Sequence, residues 1–153
     1  MAAYYADSSA LVKRHVPEIG SVWFTTLADP LSGNVIVTAR LSLAEIYSAL
    51  NRRVREASIT PTDYIGIISD LNSIWASDYE IVELTQPLVD ETRLLCERYP
   101  LRAYDAVQLA SAIFARSGMQ AVGASPLIFL SADGRLLTAA QAEGFATDNP
   151  NLH

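Results

Sequence analysis

Short β-branched or aromatic runs alternate with longer amphipathic stretches along this chain, which predicts an α/β fold with a mainly parallel sheet and helices on both faces. Two further features agree. Leu127-Ile128-Phe129-Leu130 is a continuous apolar run between turn residues, the pattern of a strand buried on both sides. Tyr4-Tyr5-Ala6 ends in Asp7-Ser8-Ser9, where a strand feeds directly into a helical pattern.

Tyr4 to Ala6 reads as the first strand, and Ser8 to about His15 as a helix stopped near Pro17. Gly20-Ser21 opens a short helix through Leu27, ended by Asp29-Pro30, with a turn at Gly33-Asn34. Val35 to Thr38 is a second strand. Ser42 then reads as a helix N-cap with Glu45 three residues on, the spacing of a capping box. Leu43, Ile46, Tyr47, Leu50 and Val54 continue that helix to about Glu56. Thr60-Pro61 with Asp63 starts another, reaching about Trp75. Tyr79 to Leu84 alternates as a third strand, and Thr85-Gln86-Pro87 opens a helix ending near Tyr99-Pro100. Ala103 to about Ser117 carries a stripe of Ala106, Leu109, Ala110, Ile113 and Phe114, with Gly118 as its C-cap. After the buried strand come a helix over Gly134 to Ala142 and a last short strand, Phe145 to Thr147.

The chain has 153 residues, half of them hydrophobic and 18% charged, enough for a folded core and expected to form one domain over 1–153. No apolar run approaches the roughly 18 residues of a membrane span, and the start lacks the pattern of a signal peptide. Cys96 is the only cysteine, so no intrachain disulfide forms; its place in Leu94-Leu95-Cys96 reads as a small core residue. A reducing cytoplasm is the expected compartment. The net charge of −6 argues at first against a nucleic-acid partner. Setting aside the four acids discussed next leaves 11 basic against 13 acidic residues, and ten of the basic ones are arginine, the better fork for phosphate.

Those four acids are Asp7, Glu45, Asp105 and Asp133. Each has a structural reading of its own: Asp7 an N-cap, Glu45 half of a capping box, Asp105 a first-turn acid on the helix dipole, Asp133-Gly134 a turn or cap. Together they share a place. Asp7 and Asp133 follow strands, while Glu45 and Asp105 open helices, so all four fall on the carboxyl edge of a parallel sheet. Four carboxylates there repel unless a cation sits among them. An all-oxygen set favours Mg²⁺ or Mn²⁺ over zinc, and two histidines and one cysteine make a zinc site a poor fit. A serine triad lacks a placed histidine, and no glycine-rich phosphate loop is present.

Four segments carry a family likeness. YYADSSALVK with Asp7 and Ser9, the helix bearing Glu45, LRAYDAVQLASA with Asp105, and FLSADGRLL with Asp133 resemble the PIN-domain nucleases. KRHVPEIGS and EGFATDNP are similar to the VapC-type toxins of type II toxin–antitoxin pairs. The resemblance covers nearly the whole chain. It implies a PIN-like three-layer fold and a metal-dependent endoribonuclease with Asp7, Glu45, Asp105 and Asp133 as its acidic residues. By the same likeness Asp7 and Asp105 hold Mg²⁺ (or Mn²⁺) most directly, and Ser9 and Ser131 orient the carboxylates. The partners it implies are an RNA substrate, a cognate antitoxin and a second copy in a homodimer, with no membrane involved. Arg52, seven residues beyond Glu45 on nearly the same helix face, is a candidate for holding phosphate, with a solvated, dipole-favoured helix end as its other reading; Arg102, one turn before Asp105, either pairs with that carboxylate or holds an RNA phosphate. The alternative to an enzyme is a catalytically quiet PIN-like module that binds RNA or protein.

Overall fold

Alternate residues of the first strand, β1 (Ala3–Ala6), enter two different cores. Ala3 and Tyr5 face one, Tyr4 and Ala6 the other, as the two-residue period of a strand requires. β4 (Leu127–Leu130) repeats the split, with Leu127 and Phe129 on the first side and Ile128 and Leu130 on the second. The computed structural model describes residues 1–153, and its three layers follow from this alternation. The middle layer is a five-stranded parallel sheet in the order β3-β2-β1-β4-β5, completed by β2 (Val35–Ala39), β3 (Tyr79–Val82) and β5 (Ala146–Asp148).

Seven helices cover the sheet. α1 (Ser8–Leu11), α2 (Ser21–Leu27), α3 (Arg40–Arg55) and α4 (Pro61–Ser77) bury Leu11, Phe24, Ile46, Leu50, Leu71 and Trp75 on one face. α5 (Gln86–Arg98), α6 (Ala103–Ala121) and α7 (Gly134–Ala142) bury Leu88, Leu95, Leu109 and Leu136 on the other. The strand order reverses between β1 and β4. β1 leads into α1 on one face and β4 into α7 on the other, so the chain diverges and leaves a crevice at the carboxyl edge. No helix is long and apolar enough to cross a membrane.

Local chemistry explains most element ends. α4 starts where Thr60-Pro61 with Asp63 places it, and a capping box closes it: Thr60 Oγ1 accepts from Asp63 N and the Asp63 carboxylate accepts from Thr60 N, with Pro61 in the first turn. Five expectations are corrected. The α3 helix starts at Arg40 with no side-chain cap, because Ser42 is buried against Thr38 and Gln108 instead of capping. Glu45 therefore lies in the second turn and closes no capping box. Gly118 does not end α6; Met119 still packs on the core, and the left-handed residue is Gly123 at φ +67°. β3 stops at Val82 because its partner strand ends at Ala39, leaving Glu83 and Leu84 unpaired in the sheet. Cys96 is exposed, since Leu95 takes the buried position on α5. The expected first helix also tightens into a 3₁₀ turn over Val12–Arg14.

The end of the chain is fastened over the start. Lys13 is 4% exposed, yet its three ammonium protons all find acceptors: Glu18 Oε1 at 2.9 Å, Ile19 O at 2.7 Å and Asn151 Oδ1 at 2.6 Å. Gly20 (φ +82°) touches the Pro150 carbonyl so closely that a Cβ there would sit 2.1 Å from its oxygen.

Candidate active site

Asp7 sits at the strand-order reversal. It N-caps α1, and its own N–H donates to Leu130 O at 3.2 Å, tying the ends of β1 and β4. It is 4% exposed, and its carboxylate accepts three hydrogen bonds, which leaves Oδ2 an acceptor site to spare. Oδ1 accepts from Ser9 Oγ at 2.6 Å and Ala10 N at 3.0 Å; Oδ2 accepts from Ser131 Oγ at 2.6 Å. The two serines are used alike. Each donates its one proton to Asp7 and accepts a backbone N–H from the loop after β4: Ser9 from Ala132 at 2.8 Å, Ser131 from Asp133 at 3.0 Å. Those bonds fix which way the hydroxyls point, and with them the carboxylate.

Glu45 reaches the same edge from α3. Its Oε1 accepts from Gln108 Nε2 at 2.6 Å. Gln108, on α6 and 1% exposed, also donates to Ser42 Oγ at 2.9 Å and accepts from the Tyr5 hydroxyl at 2.6 Å. Thr38 Oγ1 extends the network, donating to Ala6 O at 2.7 Å and lying 2.8 Å from Ser42 Oγ. Glu45 is thus braced through one glutamine to β1, β2 and α6. Asp105 lies in the first turn of α6, and Asp133 N-caps α7 through Oδ1, accepting from Arg135 N at 2.8 Å and Leu136 N at 3.4 Å.

The electrostatics record the neighbourhood. Burial raises the Asp7 carboxyl from 3.8 to about 6, against the pull of Ser131, Ser9 and Ala10, and the Glu45 charge adds to the rise. Burial also raises Glu45, assisted by Asp105 and offset by Gln108 and Ser8. Burial raises Asp105, with Asp133 adding and Arg102 and Arg135 opposing. The four carboxylates therefore form a row in which Glu45 adjoins Asp7 and Asp105, and Asp105 adjoins Asp133. They form an open row rather than a closed cage, for no three His, Cys, Asp or Glu side chains converge as a preformed ligand set. The donors are nonetheless all carboxylate oxygens, three of them held above their ordinary values, which suits a hard divalent cation such as Mg²⁺ or Mn²⁺. The other metal-ligating types lie elsewhere: His15 against α4, its pKa lowered to about 4 chiefly by burial, His153 stacked on Trp23, and Cys96 on the outside of α5.

Two clefts meet at Glu45, and a third, about 540 Å³, opens beside Asp133 and Arg135 at the end of the row. The larger of the first two, about 660 Å³, is lined by Ser8, Ser9, Glu45, Ser48, Arg52 and Ala132 among others. The smaller, about 220 Å³, holds Glu45, Asp105 and Asp133 with Arg102 and Arg135. Asp7 is buried and lines neither cleft; Ser9, which donates to it, and Ala132, which donates to Ser9, line the larger one. Arg52, Arg102 and Arg135 are exposed and take part in none of the molecule's ion pairs, whereas Arg53 is spent on Glu18.

A family model described as "PIN domain" matches residues 4–140. The chain belongs to the PIN-domain family. Within it the likeness is to the VapC type. The chain is 33% identical over 144 residues to Ribonuclease VapC45 and to Ribonuclease VapC49, both of Mycobacterium tuberculosis, covering 94% of this chain and 93% of each relative. Among solved structures, VapBC2 from Rickettsia felis bound to a promoter DNA fragment superposes with a TM-score of 0.61 at 14% identity, over 96% of this chain and 98% of that one. Mycobacterium tuberculosis VapC20, described as a sarcin–ricin loop cleaving toxin, gives 0.60 at 17% identity over 94% and 96%. These neighbours share the PIN fold, a parallel sheet between helical layers.

Three residues of this PIN domain were not among the sequence candidates. Gln108 carried a signal: a long polar side chain inside the apolar segment around Ala106, Leu109 and Ala110, three residues after Asp105 and so on its helix face. Ser42 is a second buried polar group, hidden by its resemblance to a cap. Arg135 follows Asp133 by two residues and carried no periodic signal.

Proposed function

We propose that this protein is a metal-dependent endoribonuclease, the toxin of a toxin–antitoxin pair, acting at the row of Asp7, Glu45, Asp105 and Asp133. The supporting observation is the Asp7 carboxylate, buried and raised to about 6, yet clamped by two serines from both sides of the strand reversal. A structural carboxylate would be more stable as an exposed cap; one held in this environment suits a cationic partner. The VapC ribonucleases at 33% identity support the reaction class.

Asp7 and Asp105 would hold Mg²⁺ (or Mn²⁺) most directly, with Glu45 and Asp133 holding waters or a second ion. When bound, the ion polarises the phosphoryl oxygen, lowers the pKa of its water and offsets charge on the leaving oxygen. The protein's own part is positional. Ser9 and Ser131 fix Asp7, and Gln108 fixes Glu45, so neither carboxylate must reorganise as the RNA arrives. One of Glu45 and Asp133 orients the attacking water. Arg52 and Arg102 hold phosphates flanking the scissile one. The whole chain, 1–153, acts as one unit in the cytoplasm, as a homodimer silenced by an antitoxin; the antitoxin complexes among its structural neighbours support such a partner.

The test is cleavage of total RNA by the purified, antitoxin-free protein in Mg²⁺, with Asp105→Asn in parallel. Loss of cleavage in the variant supports the site. Intact RNA with the parent favours the catalytically quiet binding module, and equal cleavage by both places the chemistry elsewhere.

A further inference from the structure

Glu45 and Tyr104 are the only two residues common to the clefts of about 660 Å³ and about 220 Å³. They form the saddle between them. Tyr104 is 58% exposed, immediately before Asp105 in the first turn of α6. Its ring stacks on none of the molecule's other aromatic rings. Only one other aromatic, Phe114, is exposed, and less so at 37%; it lies ten residues along the same helix, about 15 Å away. A single exposed ring is ordinary on a protein surface; what singles out Tyr104 is its place between the two clefts. Cations stand on both sides of this one: Arg52 in the larger cleft, Arg102 and Arg135 in the smaller.

Resting on the ribonuclease reading, we propose that Tyr104 is the stacking platform for an unpaired nucleobase beside the scissile phosphate, and that it selects single-stranded over duplex RNA. A strand crossing the saddle meets an arginine before and after the carboxylates, so its phosphates are held at both ends. At the saddle itself the two shared residues are Glu45 and Tyr104, so the crossing point offers the backbone no positive side chain. A base turned onto Tyr104 supplies attraction where phosphate contacts cannot, because every base presents a π-face whatever its sequence. A base paired in a duplex is stacked on its neighbours and cannot lie on the ring. Tyr104 is a specificity-determining residue here; it holds the substrate and takes no part in moving protons.

The experiment measures binding and cleavage separately. Asp105→Asn, expected to bind without cleaving, is titrated in Mg²⁺ with a randomised-sequence single-stranded RNA of about 12 nucleotides, and with the same RNA annealed to its complement. Adding Tyr104→Ala should weaken single-strand binding on the order of tenfold or more, with Tyr104→Phe recovering it. Duplex binding should be weaker and indifferent to residue 104. In the otherwise unaltered enzyme, Tyr104→Ala should raise KM far more than it lowers kcat. Thermal melting checks the fold, and an exposed ring should leave it unchanged. Equal single-strand affinity with and without the ring, or equal losses for single strand and duplex, would overturn the stacking role. In either case RNA cleavage by the parent protein would leave the ribonuclease reading standing. Absence of cleavage by the parent removes that reading and the inference together.

Discussion

Replacing Asp7 with asparagine should stabilise the cation-free protein at alkaline pH and destabilise it in acid. The native fold holds the Asp7 proton up to about pH 6, whereas the unfolded chain releases it near 3.8. For an acid whose folded pKa is raised, the stabilising contribution is complete below the unfolded value and is lost as pH rises through the folded one. The gap corresponds to about 3 kcal/mol, so ionised Asp7 costs the apo fold roughly that much at about pH 8. Asparagine carries no charge at either pH. Its Oδ1 keeps the bonds from Ser9 and Ala10, but its Nδ2 faces a Ser131 hydroxyl that already accepts from Asp133 N. The Ser131 proton loses its acceptor, at a cost of about 1–2 kcal/mol. The net gain is therefore about 1–2 kcal/mol at about pH 8, or roughly 3–6 °C in Tm, and a loss of about 1–2 kcal/mol at about pH 4. Thermal and urea unfolding in EDTA at the two pH values measure both. Saturating Mn²⁺, at about 100 times its Kd, should then add about 2.7 kcal/mol to the parent and much less to the variant. A variant weakened by the same amount at both pH values would refute the buried-charge account.

Four other outcomes follow from the same geometry. Gln108→Leu strands the Tyr5 hydroxyl and frees Glu45; a stability loss of about 2–4 kcal/mol in urea and a marked fall in cleavage rate are expected, and parental behaviour in both would mean the network is idle. Ser9→Ala and Ser131→Ala each remove one donor from Asp7 and should weaken Mn²⁺ binding, read by calorimetry, by about 10- to 100-fold. Removing Arg52, Arg102 or Arg135 should weaken RNA binding for all sequences alike and lower the slope of log affinity against log salt by about 1 each; an unchanged slope excludes that arginine as a phosphate contact. Gly20→Ala combines a left-handed φ with a backbone clash at Pro150 and should cost at least about 2 kcal/mol in thermal unfolding.

The order of elements was legible because each strand and helix keeps its own hydrophobic period. β1, β4 and α7 fell within a residue of their expected bounds, and so did the start of α4 at Thr60-Pro61, which neighbours in sequence set. What misled was chemistry that is local in type and tertiary in use. Ser42 has the look of a cap three residues before a glutamate, yet its partners are Thr38 and a glutamine 66 residues away. Gly118 resembles a terminator, but packing carries α6 past it to Gly123. The four acids could be placed on one edge because sheet topology puts strand ends and helix starts there. Their arrangement as a row, with Asp7 buried between Ser9 and Ser131 and Glu45 braced by Gln108, depends on tertiary side-chain contacts that no spacing encodes. Tyr104 stood in full view inside the Asp105 segment; its exposure, and not its identity, is what marks it.

The central claim is that this carboxylate row is a cation-dependent site for cutting RNA. The most direct measurement is the sequencing of RNA 5′ and 3′ ends after incubation of the antitoxin-free protein with total RNA, in Mg²⁺ and in EDTA, for the parent and for Asp105→Asn. New ends at defined positions that appear only with the parent and only in Mg²⁺ are the predicted result. The same ends in EDTA, or undiminished in Asp105→Asn, would contradict it.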